Sequence, residues 1–326
     1  MKKTLLATLL ATVCSVGTVL AADMYVKAPP VEPVAVYNPW DIAFGAGLYS
    51  DYNFRGISQS NRKPSVNAYF EPRYNINNNL QLYAGLGAWS IAFSNRPSAE
   101  VDIYGGIRPT FGKLSFDLGA WYYYYPGGTC YNGNLDAFGN TFGPDCFANG
   151  SLPVNGNVIK KDLSFVEYFA KASLAVTDNF SIGGGGYYDV NWLNFGFDAV
   201  YASVNAKITV PSAWMPANTG AYISGEYGHY WLGTTDAFYG YIPLPDYSTW
   251  NVGAGLTWSV FTVDLRYYDS DLSKGECNAI TSDFTATFSP ANIIPVVNPG
   301  GFGSKWCGES YVISLKADLT YGSNVK

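Results

Sequence analysis

The chain has 326 residues and a net charge of −6, which argues against a nucleic-acid-binding protein. Only 13% of its residues are charged, about half the usual globular fraction, whereas 17% are aromatic and Tyr and Gly number 27 and 35. Mean hydropathy is close to zero, as expected when one face of each strand is apolar and the other polar. The composition therefore favours a transmembrane β-barrel over a secreted soluble protein.

Residues 1–21 have the pattern of a secretory signal peptide. Lys2 and Lys3 precede an apolar run that ends in a small-residue cleavage site at Ala21. The alternative is a membrane-anchoring helix, but the apolar run is short for a span. Residues 22–39 are rich in Pro and lack periodicity, which predicts an extended periplasmic leader. Loss of the two lysines would change the net charge of the mature chain to about −8.

Residues 40–321 alternate apolar and polar side chains with the two-residue period of β-strands. The predicted fold class is all-β: a transmembrane, antiparallel, up-and-down β-barrel of about 12 strands, followed by a C-terminal tail at 322–326. An even strand number places both ends of the barrel in the periplasm. The predicted strands are 40–54, 65–74, 80–93, 99–110, 114–125, 164–176, 180–190, 198–210, 219–231, 247–258, 261–269 and 310–321.

The connections between these strands alternate between short and long. The even-numbered ones are short, as at 111–113 and 259–260, whereas the fifth and eleventh, 126–163 and 270–309, run to about 40 residues. A transmembrane barrel sorts its hairpins in this way because short turns face the periplasm and long loops face outside. The pattern therefore predicts the outer membrane of a Gram-negative bacterium.

Aromatic residues cluster at the predicted strand ends, as two interfacial girdles would require. The alternative is that Tyr is simply common in strands. The outer ends carry Tyr52, Phe54, Trp89, Phe93, the tyrosines at 122–125, Tyr187, Tyr188, Tyr230, Trp231, Tyr267 and Tyr268. The periplasmic ends carry Trp40, Tyr74, Phe111, Trp214, Trp258 and Tyr321.

The same alternation directs charged side chains to the inner face, because a charge on the lipid face costs about 2–4 kcal/mol at the bilayer midplane. Acids and bases are nearly balanced, and two interpretations stay open. One is a narrow channel lined by opposed charges, and the other is a plugged barrel with a salt-bridged interior. The pore-lining candidates are Asp51, Arg55, Glu71, Arg73, Asp102, Arg108, Asp117, Glu167, Lys171, Lys207, Glu226, Asp264, Arg266, Lys316 and Asp318.

Four cysteines of the mature chain fall as one pair in each of the two longest loops: Cys130, Cys146, Cys277 and Cys307. An exported protein matures in an oxidising compartment, so we expect disulfides. Four cysteines allow three connectivities, and we favour the local pairs, the first with the second and the third with the fourth. A metal site is not expected, because the chain lacks CxxC and has one His.

Enzyme motifs are missing from the sequence. It contains neither GxSxG nor HExxH, and no cofactor is implied. The single histidine, His229, is predicted near the outer end of a strand, and we identify no Ser or Asp to partner it. We therefore expect an interfacial residue and not a catalytic base.

The segment 50–60, with the sequence SDYNFRGISQS, resembles the SDYxFRGxSQS signature of the TorF family of porins. Two weaker similarities to the family lie at 122–127 and 250–253. The resemblance as a whole covers about 40–321. It implies an outer-membrane β-barrel with porin activity and no catalytic residues to carry over. The long loops that carry the cysteines depart from the family and leave solute preference open.

Within this motif Asp51, Asn53 and Arg55 would share the lumen face of the first strand, and Gly56 would permit the turn into the loop. Arg55 could lie at an anion-attracting point of a constriction, or it could anchor the loop 56–64 by hydrogen bonds. Both roles stay open from the sequence.

The sequence thus predicts a channel for passive diffusion of small polar solutes or ions, in contact with outer-membrane lipid and with no nucleic-acid partner. The alternative from a different class is a non-conducting surface protein with disulfide-braced loops. A secreted β-sandwich is disfavoured by the aromatic strand ends and uncharged outer faces.

Overall fold

The computed structural model describes residues 39–132, 142–143 and 158–325. The predicted signal peptide and residues 22–38 of the predicted leader lie outside the described residues, as does Cys146. In the described part of the chain, no helix is both long and apolar enough to cross a membrane.

Twelve antiparallel strands close into a barrel in chain order, and the last strand pairs with the first. This confirms the predicted fold class, and most predicted bounds agree within a few residues. The first strand is the exception, because it ends at Tyr49 and not at residue 54. The strands are β1 Trp40–Tyr49, β2 Ser65–Asn77, β3 Leu80–Trp89, β4 Glu100–Phe111, β5 Leu114–Tyr124, β6 Phe165–Ala175, β7 Phe180–Val190, β8 Ala199–Thr209, β9 Thr219–Trp231, β10 Tyr247–Trp258, β11 Phe261–Ser270 and β12 Ser310–Thr320.

The barrel exterior is apolar and the interior is polar. Outward side chains such as Val204, Leu256 and Ile313 are 63%, 64% and 53% exposed, whereas the inward Ser203 and Ser314 are buried. A closed barrel leaves no unpaired strand edge, and an apolar belt of this kind faces lipid. The protein is therefore an outer-membrane β-barrel.

The predicted aromatic girdle is complete at the periplasmic end and partial at the outer end. Trp40, Phe111 and Trp258 are each at least 60% exposed at periplasmic strand ends. At the outer end Tyr122 is exposed but the adjacent Tyr123 is buried inside the barrel. Consecutive strand residues point to opposite faces, so about half of the outer aromatics fill the interior instead of meeting lipid.

Inward tyrosine rings lie across glycines of the neighbouring strand. A Cβ added at Gly85 would lie 2.2 Å from Tyr104 Cζ, and one added at Gly228 would lie 2.0 Å from Tyr201 Oη. Only a residue without a side chain leaves room for a ring that lies flat against the wall. This packing explains why Tyr and Gly are both abundant.

The apolar core lies at the outer end of the barrel, where the long connections fold together. We call it the outer cluster; it is built by every outer connection and includes Ile57, Phe93, Leu163, Phe195, Tyr239, Ile242, Ile280 and Trp306. The last connection contributes a short helix, α1 (Lys274–Thr281), which begins with a capping box between Ser273 and Glu276. The outer cluster closes the barrel on the side opposite to the short turns.

Candidate functional site

A cavity of about 440 Å³ occupies the barrel interior below the outer cluster. Asn218 and Ser259 of the short turns line its periplasmic end, and Arg55 lines its opposite end, next to the outer cluster. The C-terminal tail lies at the mouth, where Asn324 also lines the cavity and the Gly322 amide donates to Asp41 Oδ1 at 3.1 Å. The cavity therefore opens towards the periplasm.

Twelve of the fifteen predicted pore-lining residues border this cavity. The other three do not: Arg73 binds Glu71, and Asp102 and Glu167 are buried. Those that border it are Asp51, Arg55, Glu71, Arg108, Asp117, Lys171, Lys207, Glu226, Asp264, Arg266, Lys316 and Asp318.

One wall of the cavity carries a chain of alternating charges. Glu71 is 2.6 Å from Arg73 and 2.8 Å from Arg108, and Asp117 is 3.6 Å from Arg108 and 3.3 Å from Lys171. These residues come from β2, β4, β5 and β6, which lie in one continuous stretch of the wall. The pairing compensates charges that would be costly to bury alone.

Most of the cavity's carboxylates also accept a hydrogen bond from a tyrosine hydroxyl. These tyrosines were not predicted as lumen residues, although the sequence carries a signal for them: each occupies an inward strand position near an inward acid. The pairs are Tyr83 with Asp117 (2.6 Å), Tyr222 with Asp264 (2.8 Å), Tyr69 with Asp318 (2.9 Å) and Tyr201 with Glu226 (3.2 Å).

Residues 50–64, the plug segment, leave β1 and fold into the lumen. The prediction that 50–54 continue the first strand is wrong, because Asp51 accepts hydrogen bonds from the hydroxyls of Ser58 (2.6 Å) and Ser60 (2.8 Å) and closes a compact turn. Arg55 and Gly56 both have a positive φ, 47° and 82°. That conformation costs an L-residue roughly 1–2 kcal/mol, whereas glycine accepts it freely.

Arg55 reaches the far wall of the barrel. Its Nη2 is 2.6 Å from Glu167 Oε2 on β6, and its Nη1 is 3.6 Å from Asp189 Oδ2 on β7 and 2.9 Å from Tyr230 Oη on β9. In the closed ring of twelve strands, β7 lies directly opposite β1. The plug segment therefore spans the full width of the lumen.

The Arg55 side chain is buried and fully charged. Burial is the largest single effect and opposes its charge, but Glu167, Tyr230, Asp189 and Tyr123 together outweigh burial and raise the pKa of Arg55 well above its ordinary value. Because two carboxylates face the guanidinium, the contacts favour an anchoring role for Arg55 over an anion-attracting one. It holds the plug segment, which includes the loop 56–64, against the opposite wall.

The other contacts of the plug segment are distributed around the barrel. The Tyr52 ring stacks on Trp89 at 4.0 Å, and its hydroxyl donates to Glu100 at 2.7 Å. On the other side, the Tyr247 hydroxyl of β10 donates to the carbonyl of Arg55 at 3.1 Å. The segment is thus bound by β3 and β4, by β6 and β7, and by β10.

The last outer connection covers the plug segment. The Ser58 amide donates to the carbonyl of Trp306 at 2.8 Å, and Arg62 donates to the carbonyl of Cys307 at 3.0 Å. Cys307 forms a disulfide with Cys277, the local pairing predicted for this loop. The predicted partner of Cys130, Cys146, lies outside the described residues, so that pair stays a prediction.

His229 lies on the outer face of β9, and its Nδ1 is 2.9 Å from Ser248 Oγ on β10. This serine is a partner that the sequence analysis did not identify. Tyr227 also donates to Ser248 Oγ at 3.0 Å, and the Ser248 amide donates to Asp271 at 2.8 Å. The amide is therefore not free to stabilise an oxyanion, and the contacts form a cross-strand polar cluster. Among the described residues, no three His, Cys, Asp or Glu side chains are arranged to hold a metal ion.

Residues 35–291 match a family described as bacterial proteins of unknown function, Gcw_chp. The chain belongs to the Gcw_chp family. No curated protein matches it significantly. The TorF name and signature are not confirmed by this match.

Solved structures with a similar fold are outer-membrane proteins of low identity to this Gcw_chp member. An outer membrane channel from Pseudomonas putida F1 shares 11% identity over 89% of this chain and 100% of that chain, with a TM-score of 0.44. LpxR from Salmonella typhimurium shares 8% over 85% and 99%, with a TM-score of 0.40. OmpT of Vibrio cholerae shares 9% over 88% and 100%, with a TM-score of 0.38. These likenesses carry no conclusion about function.

Proposed function

We propose that this Gcw_chp protein is an outer-membrane channel for small polar solutes or ions, closed at its outer end by the plug segment. The observation that carries the proposal is the cavity of about 440 Å³ that runs from the periplasmic mouth to Arg55. Side chains that only stabilised the barrel would fill this space, as they do in small eight-strand barrels. The resemblance of 50–60 to the TorF porin signature supports the same interpretation.

The charges of the cavity favour a channel with weak selectivity between anions and cations. Its twelve predicted lining residues comprise six cations and six anions. Pairs such as Asp264 with Arg266, 3.0 Å apart, place opposite charges side by side. A wall of this kind suits zwitterionic or hydroxylated solutes, which can meet both signs.

The plug segment would act as the gate. It is held at the far wall by polar contacts of Arg55, which can exchange for water or solute. Beneath it the cavity is already open to the periplasm. Movement of this segment, together with the outer cluster that covers it, would open a continuous path.

The test is single-channel conductance of the refolded protein in a planar bilayer, with reversal potentials under a salt gradient. We expect rare openings of the unmodified protein and frequent, discrete steps from Arg55→Ala. The matched control is Arg96→Ala, an exposed arginine in another outer connection, which should behave as the unmodified protein does. Silence from Arg55→Ala that is demonstrably folded and inserted would reject the channel.

A second candidate is a non-conducting surface protein. The closure of the outer end favours it, because Ile57 and Trp306 of the outer cluster are buried and the disulfide loop covers the plug segment. In the same experiment, silence of all folded variants would favour this candidate, and the outer loops would then be tested for a binding partner.

A further inference from the structure

We propose that the barrel wall around Arg55 is a binding site for the guanidinium group of a solute, and that Arg55 occupies it as an internal ligand in the closed state. We call the site the Arg55 cage; it consists of Glu167, Asp189, Tyr187, Tyr201 and Tyr230. The inference rests on the proposed function, because the cage is vacated only when the plug segment moves.

The Arg55 guanidinium lies over aromatic rings of the barrel wall. Its Cζ is 4.2 Å from the ring centre of Tyr201, 4.6 Å from that of Tyr187 and 5.1 Å from that of Tyr230. Cations within about 6 Å of a ring centre are attracted by its π-electrons, and the attraction is strongest when water is excluded. Tyr201, Tyr187 and Tyr230 are 2%, 8% and 1% exposed.

The terminal nitrogens of the Arg55 guanidinium contact two carboxylates. Glu167 and Asp189 are register partners on β6 and β7, and both contact the Nη atoms. A planar fork of N–H donors that meets two carboxylates and is surrounded by aromatic rings is the geometry that guanidinium recognition uses. A spherical ammonium group would not match both the flat faces and the paired acceptors.

The cage belongs to the rigid wall and not to the plug segment. Its residues come from β6, β7, β8 and β9, which are paired along their lengths. Tyr187 and Tyr201 also line the inner end of the cavity. When Arg55 leaves, the cage stays in place, and a solute in the cavity reaches it directly.

Arg55 itself fits the cage imperfectly. Its φ of 47° is unfavourable for a residue with a side chain, and its Nε has no hydrogen-bond partner. Asp189 Oδ1 is buried and also lacks a partner. A guanidinium free of the backbone can rotate to use both, so a guanidinium-bearing solute competes with Arg55 and releases the plug segment.

The test uses the full-length mature protein and methylguanidinium as the probe, at millimolar concentrations well below those that denature proteins. We expect Arg55→Ala to show a saturable rise in melting midpoint with methylguanidinium. The apparent affinity should be at least about tenfold higher than in Arg96→Ala, because occupancy of a vacant native site stabilises the folded state. Methylammonium at equal ionic strength should shift the midpoint less.

The second variant is Arg55→Ala with Glu167→Gln, which keeps the cavity but removes one acceptor, and we expect it to lose the response. If Arg55→Ala folds poorly, its refolding yield with and without methylguanidinium is measured instead, and an unchanged yield overturns the cage. No saturable shift in Arg55→Ala, or an equal shift in Arg96→Ala, also overturns it.

The melting assay does not depend on conduction. If methylguanidinium raises the melting midpoint of Arg55→Ala but this variant does not conduct, the cage is supported and the channel is rejected. If Arg55→Ala conducts but its melting midpoint does not respond, the channel is supported and the cage is rejected. In the unmodified protein, methylguanidinium should raise the frequency of openings.

Discussion

Replacement of Arg55 by Met should destabilise the protein strongly, because it removes the charge and leaves two buried carboxylates facing each other. Arg55 Nη2 is 2.6 Å from Glu167 and Nη1 is 3.6 Å from Asp189. Opposite charges about 3 Å apart attract by roughly 5 kcal/mol at an effective dielectric constant of about 20. Desolvation offsets part of this attraction, so we expect a loss of about 3–5 kcal/mol, typical of breaking a buried pair.

The free energy of unfolding would be measured by equilibrium urea titration in lipid vesicles, followed by tryptophan fluorescence. The matched control is the triple variant Arg55→Met, Glu167→Gln and Asp189→Asn, which removes all three charges. It should recover most of the lost stability, because no carboxylate remains uncompensated. The prediction is wrong if Arg55→Met lies within about 1 kcal/mol of the unmodified protein, or if the triple variant is as unstable as Arg55→Met.

Three further predictions concern the wall, the lipid face and the loops. Gly85→Ala should lose about 1–3 kcal/mol in the same titration, because its Cβ would meet a tyrosine ring at 2.2 Å; Gly186→Ala, with nothing within 4 Å, is the control and should be near neutral. Val204→Arg, at a position 63% exposed on the outer face, should lose about 2–4 kcal/mol in lipid, and a neutral result would contradict a lipid-facing position. Joint replacement of Cys277 and Cys307 by Ser removes the disulfide that joins residues 30 positions apart. It should lower the free energy of unfolding by about 3 kcal/mol, and an unchanged melting midpoint would contradict this.

The strands and their orientation were predictable because they depend on local pattern. A two-residue period assigns each side chain to a face without reference to any distant residue. Hence Ile313 and Leu315 face outward and Ser314 faces inward, as the alternation of the last strand predicted. The order of short and long connections likewise predicted which end of the barrel faces the periplasm, because the length of each hairpin can be read from the sequence.

The prediction failed where the pattern continued but the chain turned. Residues 50–54 still alternate, so they read as strand, yet Ser58 and Ser60 hydrogen-bond to Asp51 and the chain leaves the wall after Tyr49. The aromatic residues at the outer ends met the same difficulty. Composition does not distinguish a Tyr at the lipid interface from a Tyr inside the barrel; the strand alternation does, as for Tyr122 and Tyr123.

An outer-membrane barrel with charged residues on its inner face follows from the sequence pattern alone, because lipid imposes that alternation on every strand. Which charges meet depends on the tertiary structure. Arg55 and Glu167 are 112 residues apart along the chain, and their contact exists because ring closure places β6 and β7 opposite β1. Such a contact has no local signature, since it depends on the diameter of the closed barrel and on the inward turn of the plug segment.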